Sequence, residues 1–164
     1  VKLARWLSFV LAEGLIGDYK LGSCLLISQT NRKELLNEFF RNSKDLFDIE
    51  FKQKNYKDYG FNSTLFCYFL RDLLSIKLGR GRYVNLPDWI LNSEEEIKTN
   101  FLNVFFSLES TIPKNGREII LTQSNQNKIE AINYLLLSLG IFSSMNKSIR
   151  WATNTKNKTK REYY

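Results

Sequence analysis

The sequence predicts an α+β fold built from two related halves, and three observations point to it. Two apolar stretches, Leu7-Ser8-Phe9-Val10-Leu11-Ala12 and Leu102-Asn103-Val104-Phe105-Phe106-Ser107-Leu108, each run straight into an acid. These acids, Glu13 and Glu109, lie 96 positions apart (109 minus 13). A similar segment follows each: Leu26-Ile27-Ser28-Gln29-Thr30-Asn31 and Ile120-Leu121-Thr122-Gln123-Ser124-Asn125, with the glutamines offset by 94 (123 minus 29). Around these landmarks, helical and alternating periodicities succeed one another in the same order twice. Halves related in this way bring their two glutamates together at the axis between them.

The elements follow in order. Leu3, Leu7, Val10 and Leu11 recur at helical spacing, predicting a helix over 2–13 that Gly14 ends. Residues 15–20 and 23–29 alternate around Leu21-Gly22, the pattern of a hairpin. Thr30 or Asn31 then caps a helix with Leu35, Leu36, Phe39 and Phe40 on one face. Two short strands, about 48–55 and 58–62, turn near Asp58-Tyr59-Gly60. A helix over about 63–77 follows, carrying Leu65, Phe66, Phe69, Leu70, Leu73 and Leu74.

Leu78-Gly79-Arg80-Gly81-Arg82 breaks the periodicity and, with Pro87, marks the junction. The halves are therefore placed at 1–79 and 96–164, with 80–95 as linker and run-in. Ser93 followed by Glu94, Glu95 and Glu96 predicts an N-cap with acids in the first turn, and a helix running to Glu109. The order then restarts: a hairpin at 111–123, a helix over about 125–139 stopped by Gly140, and strands at 141–146 and 148–154. The second half has no counterpart of the 63–77 helix and reads as abbreviated.

Bulk properties narrow the function. With 164 residues and 43% hydrophobic content, the chain can bury a core as one compact domain or two small fused halves. Lys and Arg outnumber Asp and Glu by 24 to 17, a formal charge of +7 that suits a polyanionic partner. Histidine is absent, which removes His-based triads, His-ligated zinc and imidazole acid–base catalysis. Cys24 and Cys67 have no metal-type spacing and read as free thiols of a reducing compartment. No apolar run reaches the roughly 18 residues a bilayer span needs. The amino-terminal Val1-Lys2-Leu3-Ala4-Arg5-Trp6 enters an amphipathic helix, not a signal peptide. The chain is expected to be intracellular and off the membrane, in a compartment the sequence leaves open between a bacterial or archaeal cytoplasm and an organelle.

The acids sit where a helix disfavours them. A helix C-terminus carries partial negative charge, and a carboxylate there costs roughly 0.3–1 kcal/mol. Both helices are apolar on most sides, so two such ends brought together crowd like charges in a poorly solvated place. Divalent cations reverse that penalty. Mg²⁺ takes one or two carboxylates plus phosphate oxygens and water, with no need of imidazole or thiolate. Glu13 and Glu109 are accordingly predicted to ligate Mg²⁺ or Mn²⁺. The aromatics Phe39, Phe40, Phe66, Phe69, Phe105 and Phe106 fall at helical spacing and read as core.

The paired motifs, the Gln-Ser/Thr-Asn segments after them, and Leu86-Pro87-Asp88-Trp89-Ile90-Leu91-Asn92-Ser93 running into Glu96-Ile97 resemble the LAGLIDADG homing endonucleases in their single-chain, two-motif form. The resemblance covers nearly the whole chain. It implies two pseudo-symmetric αββαββα halves, motif helices side by side, and two four-stranded antiparallel sheets forming a saddle in the DNA major groove. It also implies a monomer acting as a pseudo-dimer. On that template Glu13 and Glu109 hold the metal at the two scissile phosphates, with the backbone carbonyls of Ala12 and Leu108 as further ligands. Gln29 and Gln123 order water nearby, and Lys20 and Lys114 are the basic residues expected to assist. Ser8 and Ala12 supply the small residues of the helix crossing. Val104 and Leu108 stand in their place in the second motif, and Ser110 replaces the glycine after the acid, which implies a weaker second site.

The implied activity is metal-dependent, site-specific cleavage of double-stranded DNA of the intron-homing type, at a long pseudopalindromic site. Metal-bound water is the attacker, so no side-chain general base is required. Base readout and phosphate contact are assigned to Lys52, Lys54, Tyr56, Arg80, Arg82, Arg117, Lys147, Arg150, Lys156, Lys158 and Lys160. The main rival is a non-catalytic nucleic-acid binder on the same scaffold, an RNA maturase or regulator, in which the acids need not be kept. An intein-embedded endonuclease lacks support, since there is no amino-terminal Cys or Ser and no His-Asn ending. A basic ribosome-associated structural protein would leave the two aligned glutamates unexplained.

Overall fold

The computed structural model describes residues 1–19, 22–77, 79–81, 84–151 and 160–164. The first half runs α1 (Lys2–Glu13), β1 (Gly14–Tyr19), β2 (Gly22–Ser28), α2 (Lys33–Phe47), β3 (Lys52–Gln53), β4 (Asp58–Asn62) and α3 (Thr64–Asp72). The junction holds β5 (Gly79–Arg80) and α4 (Asp88–Leu91). The second half runs α5 (Glu95–Glu109), β6 (Ser110–Thr111), β7 (Ile120–Leu121), α6 (Gln126–Ser138), β8 (Ser148–Trp151) and β9 (Lys160–Tyr163). No described helix is long and apolar enough to cross a membrane.

Both motif helices end at the predicted acid. Gly14 ends α1 with ordinary extended backbone (φ −90°, ψ 155°), so its freedom to adopt positive φ is not what matters. A Cβ at Gly14 would lie 2.4 Å from the Val10 carbonyl oxygen, so the end of α1 as it stands leaves no room for a side chain there. Ser110 takes nearly the same backbone angles (φ −96°, ψ 160°), and its hydroxyl donates back to the Phe106 carbonyl at 2.6 Å. The glycine-to-serine change therefore leaves the exit from the second motif intact.

The motif helices pack side by side through an apolar seam of Leu7, Val10, Leu11, Phe101, Val104 and Phe105, all buried. Ser8, fully buried, donates to the Phe101 carbonyl across that seam at 2.8 Å. Arg5 reinforces it, pairing with Glu38 of α2 and donating to Asn100 and Asn103 of α5 at 3.3 and 3.2 Å. The predicted aromatic core is present. Trp6, Phe9 and Phe39 stack at the centre of the first half, and Phe101 stacks on Phe105 in the second.

The first sheet has five strands, not the expected four, in the order β3-β4-β2-β1-β5, all antiparallel. Arg80, expected in the linker, belongs to the added edge strand, paired with Leu15. In place of a second four-stranded sheet, two ladders form, β6-β7 and β8-β9. Reciprocal backbone bonds between Gln123 and Tyr164, 3.1 and 2.9 Å, join the ends of these ladders. That link gives the order β6-β7-β9-β8, the same as β1-β2-β4-β3 in the first half.

Several boundaries differ from expectation. Residues 141–146, predicted as a strand, are not one; the partner of the 148–151 strand is β9. Asp58-Tyr59-Gly60, predicted near a turn, lies within β4. The turn instead sits at 54–57, where the Asn55 side-chain oxygen accepts from the Lys57 and Asp58 N–H groups. Helix α3 stops at Asp72, and Ser75 takes a left-handed conformation (φ 55°) that turns Ile76 into the core. Ser93 is not a cap; its hydroxyl bonds the Ile90 carbonyl, closing α4. Gly140 does end α6, at φ 74°. Among the described residues no helix follows α6. A cavity of about 920 Å³ opens between α5, α6 and β7, lined by Leu102, Phe106, Ile132 and Leu136. In the first half α3 fills the matching place: Trp6, the counterpart of Leu102, meets Phe66 there.

Candidate active site

The two helix ends carry the same construction twice. Gln29 lies just beyond β2, its N–H bonded to the Lys57 carbonyl at 3.0 Å, and its Nε2 donates to Glu13 Oε1 at 2.8 Å. Gln123 lies just beyond β7, and its Nε2 donates to Glu109 Oε2 at 2.8 Å. The amide at Gln29 can face only one way. Its Oε1 accepts from the backbone N–H groups of Thr30, Asn31 and Arg32 (2.8, 2.8 and 3.3 Å), so the NH₂ must point at the carboxylate. This also corrects the cap expected from Thr30 or Asn31. Arg32 occupies the cap position of α2 without a side-chain bond, and Gln29 closes the turn that leads into the helix.

The acids feel one another. Burial, reinforced by the charge of Glu109, pushes the Glu13 carboxyl up to about 7, against the downward pull of the Gln29 bond. Among the described residues no cluster of three or more His, Cys, Asp or Glu side chains forms. A cation placed there would meet the two carboxylates and main-chain oxygen. Of the last carbonyls of α1, which have no partner within the helix, Val10 accepts from the Gly14 N–H and Leu11 from a lysine. The Ala12 carbonyl comes next, with Leu108 as its counterpart. Hard oxygen donors at a crowded anionic spot fit a hard divalent cation.

That lysine, Lys128, is the site residue that sequence reasoning missed. It lies in the first turn of α6 with no exposed surface, and its Nζ donates to the carbonyls of Leu11 (3.2 Å) and Gly81. Burial pushes its ammonium down to about 7, against the upward pull of Glu109. The signal was available: Lys128 occupies the apolar stripe of its helix, with Ile132 and Leu135 one and two turns on.

The remaining predicted residues separate into groups. Lys52, Lys54, Tyr56, Lys114, Arg117, Lys160 and Arg80 are exposed. Register puts Arg80, Leu15, Leu26, Gly60 and Lys52 in one row across the first sheet, on the face away from the buried Ile16, Leu25 and Ile27. The Lys54 stem lies over Gly60 on that face. Lys147 is paired with Glu162 at 2.9 Å, so the acid that ends the basic run neutralises one of its members. Lys20, Arg82, Lys156 and Lys158 lie outside the described residues, and of Arg150 only the backbone, in β8, is described.

Residues 96–164 match the model of the LAGLIDADG-like domain. Three solved structures of the homing endonuclease I-DmoI share the fold. Its mesophilic variants are 13% identical, covering 99% of this chain and 87% of that one at a TM-score of 0.62. I-DmoI with DNA and Mn is 12% identical with the same coverage and TM-score. I-DmoI with DNA and Ca is 12% identical, covering 99% and 81% at 0.57. A curated relative is the glutamine–fructose-6-phosphate aminotransferase (isomerizing) of Methanocaldococcus jannaschii, 24% identical over 148 residues. That match covers 87% of this chain but only 14% of the aminotransferase. The match to the LAGLIDADG-like domain thus lies in the second half, and the chain as a whole shares the fold of I-DmoI.

Proposed function

We propose that the chain is a metal-dependent homing-type endonuclease that cuts both strands of a specific duplex DNA site. One observation carries this reading: two helix ends, packed together, each present a glutamate held by a glutamine amide at 2.8 Å. A core helix gains nothing from such a pair, since each acid opposes its own helix dipole and repels the other. A divalent cation bound there supplies charge neutralisation at the phosphate and an activated water.

The chain's own residues do the rest. Glu13 and Glu109 carry the negative charge, one at each helix end, with the Ala12 and Leu108 carbonyls beside them. Gln29 and Gln123 fix the carboxylate orientation and offer N–H donors to water at the cleavage site. The outer row on the first sheet, from Arg80 to Lys52, has basic residues at both edges and suits a phosphate-lined groove. Lys20 and Lys114 remain the proposed basic assistants. Tyr56, Arg82, Arg117, Lys147, Arg150, Lys156, Lys158 and Lys160 are proposed further contacts, with Lys147 demoted by its acid partner. A single chain with two quasi-equivalent sites acts as a monomer. The aminotransferase similarity, confined to about 14% of that enzyme, carries no transferase chemistry over.

The test is a cleavage selection. The protein is incubated with Mg²⁺ and a randomised plasmid library, and linearised DNA is sequenced. A recovered consensus that Glu13→Gln and Glu109→Gln fail to cut supports the reading. Sequence-specific retention of DNA with no cleavage under Mg²⁺ or Mn²⁺ replaces it with a binding role.

A further inference from the structure

Lys128 is the largest buried polar side chain among the described residues, and nothing in the proposed chemistry requires it. Its surroundings explain why a cation sits there. The Gly81 backbone lies directly on the end of α1: a Cβ at Gly81 would stand 2.5 Å from the Val10 oxygen and 2.6 Å from the Leu11 oxygen. Two main-chain carbonyls, Leu11 and Gly81, thus converge at a helix C-terminus, where partial negative charge accumulates. Glu109 adds a full charge close by. The Lys128 ammonium enters from the second half, bonds both carbonyls, and rests 5.8 Å from the Phe105 ring. Three pieces of chain from different parts of the sequence therefore meet on one nitrogen.

The geometry points to Lys128 as a positioning residue: with Gly81, it latches the end of the first motif helix to the second half and so sets Glu13 and the Ala12 carbonyl opposite Glu109. Leu11 is the residue next to Ala12, so a shift of its carbonyl moves the metal-facing atoms with it. Lys128 itself, enclosed and directed at main chain, touches neither DNA nor the reacting phosphate. The inference rests on the metal-binding reading of the acid pair for its consequence but not for its geometry.

The experiment uses the full chain and Lys128→Met, which keeps the length of the side chain and removes both donors. Two readouts are taken: amide hydrogen exchange over residues 9–14 and 79–81, and Mn²⁺ binding by titration calorimetry with Glu13→Gln as the blank. The expected result is at least tenfold faster exchange in those two segments, with α2 and α3 unchanged, and at least tenfold weaker Mn²⁺ binding to a protein that still melts cooperatively. A residue that only adds to global stability would speed exchange everywhere and leave Mn²⁺ affinity alone. Unchanged exchange at 9–14 overturns the latch whatever the metal does. Absence of Mn²⁺ binding in the wild type instead overturns the metal reading, and the exchange data alone then decide the latch. If Lys128→Met does not fold, Gly81→Ala serves in its place: it keeps the ammonium but pushes the junction off the Val10 and Leu11 oxygens, and the same two changes are expected.

Discussion

Gln29 donates its side-chain amide to Glu13 at 2.8 Å because its carbonyl oxygen is already taken by the Thr30 and Asn31 N–H groups in the turn before α2. One side chain thus closes the turn between β2 and α2 and fixes a carboxylate. Gln29→Glu separates the two roles. A carboxylate still accepts the N–H groups but turns an oxygen toward Glu13 where a donor was. Metal-free stability at pH 8 should fall by about 1–3 kcal/mol, measured by urea denaturation. At pH 5 the loss should shrink, since a protonated Glu13 can donate to the new acid. An equal loss at both pH values would mean that the orientation of the amide is irrelevant.

Metal-free stability should pass through a minimum near neutral pH. Glu13 rises from 4.5 to about 7 on folding, so across that window the folded chain binds more protons than the unfolded chain, and stability falls as pH rises. Lys128 falls from 10.5 to about 7, so above neutrality the folded chain binds fewer protons and stability recovers as pH rises. Melting temperatures from pH 5 to 9.5 in EDTA should trace this dip. Glu13→Gln should remove its acid side and Lys128→Met its alkaline side.

Added Mn²⁺ should fill the dip from the alkaline side. Binding favours the ionised carboxylate, so protons compete below the raised Glu13 value. A saturating ion should raise Tm by several degrees at pH 8 and by about one degree or less at pH 5.5. In Glu13→Gln the increment at pH 8 should largely vanish, although that variant melts higher without metal because a like charge is gone. A metal-induced rise independent of pH would argue for binding elsewhere.

The site was more legible in the sequence than the sheets were. Glu13, Glu109, Gln29 and Gln123 sit at the ends of strongly periodic segments, where a helix or strand boundary fixes both position and direction. Their alignment at offsets of 96 and 94 residues survives as two matching hydrogen bonds. The 141–146 segment misled because Ile-Phe-Ser-Ser-Met-Asn looks half-buried. In fact Ile141, Phe142 and Met145 are exposed beside the cavity that opens where the first half has α3. β5 was hidden because a two-residue strand, Gly79–Arg80, has no periodicity to read. Lys128 was hidden by the habit of treating lysine as surface; the carbonyls that hold it come from 117 and 47 residues away.

Ser8 ties one motif helix directly to the other. Its hydroxyl reaches the Phe101 carbonyl from a fully buried position. Ser8→Ala should cost about 0.5–1.5 kcal/mol, since that carbonyl keeps its bond within α5. Ser8→Leu should cost about 1–3 kcal/mol by prising the helices apart. It should also weaken Mn²⁺ binding more than Ser8→Ala does, because separation of the helices separates the acids. Urea denaturation and metal titration of the two variants together check this. Equal metal affinity in both would show that the acid pair does not depend on the crossing.

The outer row of the first sheet makes a distinguishable claim about DNA. Lys52 and Arg80 flank Leu15, Leu26 and Gly60 with no ion pair of their own among the described residues, whereas Lys147 is held by Glu162. A lysine that contacts phosphate releases about one counterion when it binds. Lys52→Ala and Arg80→Ala should each lower the slope of log K against log salt by about 0.9 and weaken duplex binding across sequences at low salt. Lys147→Ala should change the slope little, since its charge is already answered within the protein. Fluorescence anisotropy with a labelled duplex at four salt concentrations supplies the slopes. If Lys147→Ala lowers the slope while Lys52→Ala and Arg80→Ala do not, the first sheet's outer face is not where the duplex lies.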